Sequence, residues 1–267
     1  MRIINMISLP CFILGTLLLG VSVNSNADTS SINPTAEVKF NLNESIFSED
    51  KIIYLFEAKE NDNEKVYFFD TIHKDFLNND YILRLRVYQD EKNYDITYKK
   101  RFQHSASVND AINTLTEHGF TGDEKNYKFE IDNKNNKGVL SVSRKEKLKT
   151  GKKISYNSVD RDAAVNAILD NSPEKIIKWD SSDWYKVTLN SAKSYGPAIV
   201  KTYTGKYLGS DAEIEVWQYN NKKMIEISTK TTSKKMDAVK NIWNKALSEA
   251  GYLSADQRGK TNFVIDN

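Results

Sequence analysis

The chain has 267 residues, a formal net charge of +2, 28% charged and 11% aromatic residues, and one cysteine. That length makes one large or two small domains, and the aromatic content supports a real core. Near charge balance argues against a protein that coats nucleic acid, whose phosphate contacts show as a basic excess.

Residues 1–27 read as a secretory signal peptide. Arg2 gives a short positive start and is the only charge in that stretch, so the part from residue 28 onward carries +1. Phe12 to Val23 is an apolar run of the right length, and Ser25-Asn26-Ala27 puts small residues at −3 and −1 before Asp28. Pro10 and the shortness of the run argue against an uncleaved anchor. Cys11 precedes the run and follows Pro10, which is not the setting of a lipid-attachment cysteine. The processed chain then has no thiol and needs no disulfide. The expectation is an exported protein, periplasmic or secreted, with no membrane attachment after cleavage.

Residues 28–34 read as a polar linker ending in Pro34, and a single domain is expected over 35–267. A strand is predicted at 35–42, then a helix capped by Asn43 or Ser48 and running through Ala58. Val66 to Phe69 reads as a strand leading to Asp70-Thr71, and further strands are predicted at 81–88 and 94–102. Val108 to His118 has helical spacing and stops at Gly119. Strands at 126–132 and 138–146 flank a turn-rich segment, Asn133 to Gly138, as a hairpin. Asp160 to Leu169 is a short helix before Pro173. Strands are predicted at 184–189, 198–204, 211–219 and 223–229, the last two joined by a turn at Tyr219 to Lys222. Ala238 to Ala250 is the clearest helix, stopped by Gly251. Many antiparallel strands with a few helices predict an α+β domain built round a closed antiparallel β-barrel with flanking helices.

Several of these strands carry charge at alternate positions. Side chains at i and i+2 share a face, so Glu37 lies with Lys39, Arg84 with Arg86, and Glu130 with Asp132. Val38, Leu85 and Ile131 face the other way. Rows of acid and rows of base suit hard, oxygen-coordinated ions and phosphate. The plain alternative is a set of solvated strand faces. No phosphate-binding P-loop, dinucleotide glycine fingerprint, H-E-x-x-H or nucleophile elbow is present. His73, His104 and His118 lack metal-ligand spacing and read as surface or capping residues.

The motifs in order are Glu37-Val38-Lys39-Phe40, Tyr67-Phe68-Phe69-Asp70-Thr71, Leu83-Arg84-Leu85-Arg86 and Thr97-Tyr98-Lys99. This order resembles the CYTH family, the triphosphate tunnel metalloenzymes that include class IV adenylate cyclases and thiamine and inorganic triphosphatases. Met224 to Ser228 before the last long helix and Lys260-Thr261 after it extend the resemblance over about 35–262. It implies a barrel whose lumen holds divalent metal on acids and triphosphate on bases. Carried over residue by residue, Glu37 and Lys39 take the opening-motif positions and are the candidate catalytic pair. Arg84, Arg86, Lys99, Arg144 and Lys260 join Lys39 as candidate substrate-binding residues. Lys201 or Lys206 stands for the family's later arginine. Glu37, Glu130, Asp132 and Glu226 are the candidate ligands for Mg²⁺ or Mn²⁺.

Two acids of the pattern are replaced, by Thr35 and Ser228, and Glu213 and Glu215 sit one strand too early and are expected outside or at the rim. The resemblance implies an exported phosphohydrolase acting on a triphosphate or polyphosphate. The alternative is a non-catalytic module that binds polyphosphate or an organic phosphate in the same tunnel. A cyclase is disfavoured, since export removes the protein from cytoplasmic nucleotides. The expected partner is a small anionic substrate, with no nucleic acid; the sequence leaves the oligomeric state open.

Overall fold

The computed structural model describes residues 31–134 and 137–267, so the signal-peptide stretch lies outside the described residues. In chain order the elements are β1 (Thr35–Leu42), α1 (Glu49–Leu55), β2 (Lys59–Asp70), α2 (Asp75–Asn78), β3 (Tyr81–Tyr88), β4 (Asn93–Arg101) and α3 (Val108–Glu117). There follow β5 (Tyr127–Lys134), β6 (Lys137–Lys149), α4 (Arg161–Asp170), α5 (Glu174–Ile177) and α6 (Ser182–Ser191). The chain ends with β7 (Lys193–Tyr207), β8 (Ser210–Tyr219), β9 (Lys222–Thr232), α7 (Met236–Glu249) and α8 (Lys260–Ile265).

The nine strands close into one barrel in the order β1-β5-β6-β4-β3-β2-β7-β8-β9. β9 pairs antiparallel with β1 to complete the ring, and β1 pairs parallel with β5. The sheet is therefore mixed at that single junction, where the expectation was antiparallel throughout. The parallel pair follows from connectivity, because α3 lies in the crossover that brings β5 beside β1 instead of beside its sequence neighbour β4.

The expected strand at 184–189 is a helix, α6. The Ser181 side chain caps it by accepting from the Trp184 N–H, and Tyr185, Thr188 and Leu189 form the buried stripe. Its aromatic and β-branched content imitates a strand, and packing at helical spacing overrides that propensity. The short helices α2, α5 and α8 have no counterpart in the sequence reading. Strands β2 and β7 are longer than expected, because their polar outer ends lack the apolar signal that marks a strand.

Outside the barrel, α4, α5 and α6 cover one side through Tyr98, Ile168, Ile176 and Tyr185, and α1 and α7 cover another through Phe56, Tyr203 and Trp243. At Gly205 the chain passes so close to the loop after α1 that a Cβ would lie 2.3 Å from the Phe56 carbonyl oxygen. Inside, Val66, Phe68, Val200, Trp217 and Met224 pack with Phe263 and Val264 of α8. This apolar packing fills part of the lumen and leaves the rest to charged side chains.

Candidate functional site

Pairing registers fix which side chains look inward. Arg84 of β3 stands opposite Thr97 of β4, and Lys99 stands opposite Ser143 of β6. Glu37 of β1 stands opposite Asp132 of β5 and Lys230 of β9. These positions share one face, and together with Arg86, Glu130, Glu215, Glu226 and Lys260 they line a single cavity of about 950 Å³. The solvated-face alternative fails here: these charges converge.

Ion pairs organise the cavity into three groups. Lys39 Nζ donates to Asp132 Oδ1 at 2.6 Å and lies 2.8 Å from Glu37 Oε2. Lys99 Nζ holds the other oxygen of Asp132. Lys128 pairs with Glu130. Across the lumen, Lys260 Nζ lies 2.7 Å from Glu215 and 2.8 Å from Glu226, and Trp217 Nε1 donates to Glu215 at 2.8 Å. Toward the β3–β4 end, Arg86 Nε lies 3.0 Å from Glu64, and Asp95 takes Lys145 at 2.8 Å and the Tyr88 hydroxyl at 2.7 Å.

Burial and neighbours set the charge states. Burial works against charge on Asp132, but Lys99, Lys39 and Arg101 outweigh it and hold the carboxyl well below its usual range. Burial likewise opposes charge on Lys39, and Asp132 and Glu37 reverse that and push it well above an ordinary lysine. Burial also opposes charge on Arg86 and is outweighed by Glu64 and Glu215, so its pKa rises. Arg84 differs. Burial first, and then the Arg86 charge, bring it down to about 10. Its Nε has no hydrogen-bond partner, and Nη2 makes only a 3.4 Å contact to Thr97 Oγ1. Among the described residues no carboxylate lies within ion-pair distance of it.

The structure brings Glu37, Lys39, Arg84, Arg86, Lys99, Glu130, Asp132, Glu226 and Lys260 together as the motifs imply. It corrects the rest. Lys201 is not in the lumen: it faces outward from β7 and pairs with Glu49 of α1, because Val200 and Thr202 hold the inward positions of that strand. Lys206 is exposed and does not line the cavity either. Arg144 sits at the cavity mouth on the opposite face of β6 from Ser143, paired with Glu146 and 5.6 Å over the Tyr127 ring. The inward cation of that strand is its neighbour, Lys145. Glu213 is at the rim with Lys230, as expected, but Glu215 points into the lumen, since β8 alternates in register with Glu226 of β9. Glu226 itself joins Lys260 and Glu215, apart from the other acids.

The sequence reading also missed Arg101, Lys145, Glu64 and Asp95. Alternation was the available signal. Arg101 is i+2 from Lys99, Asp95 is i−2 from Thr97, and Glu64 is i−2 from Val66. The three histidines stay out of the cavity; His118 caps α3 and stacks on Trp179.

One acidic group has metal-ligand geometry. Glu37, Glu130 and Asp132 each offer a carboxylate oxygen, all within 4.8 Å of one another. An all-oxygen, buried, anionic set of this kind fits a hard dication such as Mg²⁺ or Mn²⁺ and does not fit a soft one. Thr35, where a further acid would stand, instead donates its hydroxyl to the Phe129 carbonyl at 3.3 Å.

A closed barrel with the motif residues facing inward meets the expectation drawn from the sequence. The fold is a closed barrel of the kind that the resemblance to the CYTH family implies. No family model matches it, and no curated protein matches it. Among solved structures, a putative adenylyl cyclase from Hippeastrum, described as having a dominant triphosphatase activity, aligns at 18% identity and TM-score 0.47, covering 85% of this chain and 93% of that one. A putative adenylate cyclase from Bacillus halodurans aligns at 13% identity and TM-score 0.46, covering 87% and 97%. A protein from Pyrococcus horikoshii aligns at 12% identity and TM-score 0.46, covering 87% and 98%.

Proposed function

We propose that this chain is an exported CYTH-like phosphohydrolase acting on a triphosphate or polyphosphate with Mg²⁺ or Mn²⁺. The observation that carries the anionic substrate is Arg84: a half-buried guanidinium whose buried Nε has no hydrogen-bond partner, with no carboxylate within ion-pair distance among the described residues, is costly unless an anion arrives to pair with it. Phosphate oxygens match its planar fork. Arg86, Lys99 and Arg101 stand beside it to spread the substrate's charge, and Lys39 and Lys260 reach in from the acidic side. Glu37, Glu130 and Asp132 would hold the metal, which when bound would polarise a phosphoryl group and lower the pKa of a water. The lumen cations stabilise charge as it develops on the phosphoryl oxygens.

Phosphate release from tripolyphosphate, long-chain polyphosphate, thiamine triphosphate and ATP tests this, each with Mg²⁺, Mn²⁺ or EDTA. Release from at least one, abolished by EDTA, is expected. Glu37→Gln is expected to keep tripolyphosphate binding and lose the metal-stimulated release, because an amide is a poorer ligand for a hard dication. No release under any metal, with tripolyphosphate still bound in EDTA, would leave the binding-module reading. That reading has its own support: Thr35 and Ser228 remove two acids, and lysines already occupy the acids that remain. Binding of no phosphate at all would end both readings.

Export rests on residues 1–27 and is a separate claim. Mass spectrometry of the exported protein is expected to give an N-terminus at Asp28; full-length protein that needs detergent for extraction would overturn it.

A further inference from the structure

The three acids suited to a metal are not idle. Lys39 Nζ lies between two of them, 2.8 Å from Glu37 and 2.6 Å from Asp132. Lys99 holds the remaining oxygen of Asp132. A dication bound by Glu37, Glu130 and Asp132 must therefore displace the Lys39 ammonium, which already supplies positive charge to two of the three acids, while Glu130 pairs with Lys128. The same ammonium lines the cavity that Arg84 faces. A polyanion there offers Lys39 and Lys99 new partners and draws them from the carboxylates.

We propose that Lys39 is an internal counter-ion that blocks the metal site until an anion enters, so that metal binding is gated by anion binding through this side chain. This rests on the proposed function for the identity of the anion, but its core claim concerns Lys39 and the acids it holds. Two ligands that each favour the same displaced arrangement of a shared group bind cooperatively, and the effect is reciprocal. A lysine suits the role. Its four-carbon stem lets a compact charge swing between partners, where an arginine fork would be fixed by its geometry. With Lys39 on Glu37 and Asp132 and Lys128 on Glu130, a metal-free lumen is internally neutralised instead of holding three uncompensated carboxylates.

The test reads metal binding directly, without phosphate, because tripolyphosphate chelates metal in solution. Free Mn²⁺ is followed by electron paramagnetic resonance during titration of the purified protein at fixed ionic strength. Wild type is expected to bind Mn²⁺ weakly, and Lys39→Met to bind one equivalent at least tenfold more tightly. Arg84→Met removes the same lumen charge without touching the acids and is expected to change Mn²⁺ affinity by less than threefold. Adding Glu37→Gln to Lys39→Met is expected to cancel the gain. If Lys39→Met does not fold, Lys99→Met, which frees one oxygen of Asp132, must show a gain of about threefold or more.

An Mn²⁺ affinity in Lys39→Met equal to or below wild type overturns the gate. So does an equal gain in Arg84→Met, which would mean bulk electrostatics alone. Calorimetry of tripolyphosphate with wild type in EDTA is run alongside. Its failure would overturn the proposed function and the identity of the gating anion, while the Mn²⁺ titration still decides whether Lys39 blocks the acids.

Discussion

Arg84→Met weakens tripolyphosphate binding by about 1.5–3 kcal/mol, the range for hydrogen bonds to a charged group, and leaves the empty protein as stable as wild type or more so. The two effects have opposite signs for one reason. In the empty barrel the Arg84 guanidinium is buried with an unpartnered Nε, beside a like charge on Arg86, and pairs with no acid. Removing a charge that Glu215 and Glu64 favour only from beyond ion-pair distance relieves a desolvation penalty. Methionine keeps much of the packing volume and adds no polar group. In the complex the same guanidinium is a lumen cation with no carboxylate within ion-pair distance among the described residues, so its removal falls on the ligand. Calorimetric titration and thermal melts of both proteins separate the terms. A variant that binds tripolyphosphate like wild type, or that melts several degrees lower, would show that Arg84 is structural and take away the main support for an anionic substrate.

How much of this site was legible beforehand depended on whether a residue's role was local or set by register. Glu37 with Lys39 and Arg84 with Arg86 sit in short apolar frames, where two-residue alternation alone fixes the face. Those positions were readable, and so was a barrel, because nine of the ten predicted strand runs are strands and the motif order implied that they close on one another. Lys201 was misplaced because β7 is long and its facing depends on pairing with β2 across two register shifts. Glu215 was set aside because the motif order suggested a different strand, while the barrel needs an acid facing Lys260 and Arg86. Arg144 stands at the cavity mouth while Lys145 points inward, because a one-residue offset moves a side chain to the other face. Lys260 was placed by the motif, but the helix α8 that carries it was not foreseen; its Phe263 and Val264 are apolar for the sake of the lumen they fill. Tertiary context decided each of these, and none leaves a trace in its own segment.

Asp132→Asn is expected to destabilise the protein by about 3–5 kcal/mol, the cost of removing one partner from a buried ion pair. At this chain length that is a melting-temperature loss of roughly 2–4 °C per kcal/mol. Asp132 is the hub of the acidic side: its two oxygens hold two lysines, and both it and Lys39 are nearly shielded from water. Asparagine keeps the shape and takes away the charge, so Lys39 and Lys99 are left facing each other with Glu37 and Glu226 acting on Lys39 and Glu130 on Lys99. The pH dependence has a definite sign. The Asp132 pKa is held well below its usual value in the folded state, so its contribution is fully present above the unfolded value of about 3.9 and is lost as pH falls through the folded one. The gap in melting temperature between wild type and variant is therefore wide at pH 7 and narrows progressively as pH falls below about 4 toward the folded value. Saturating tripolyphosphate should narrow it at pH 7 as well, because the bound anion replaces the missing charge beside both lysines and stabilises the variant by mass action. A variant within 1 kcal/mol of wild type at pH 7 would mean that water screens these pairs far better than their burial suggests. A large gap that persists unchanged at pH 3 would assign the loss to packing, and Asp132 would cease to be the electrostatic hub of the lumen.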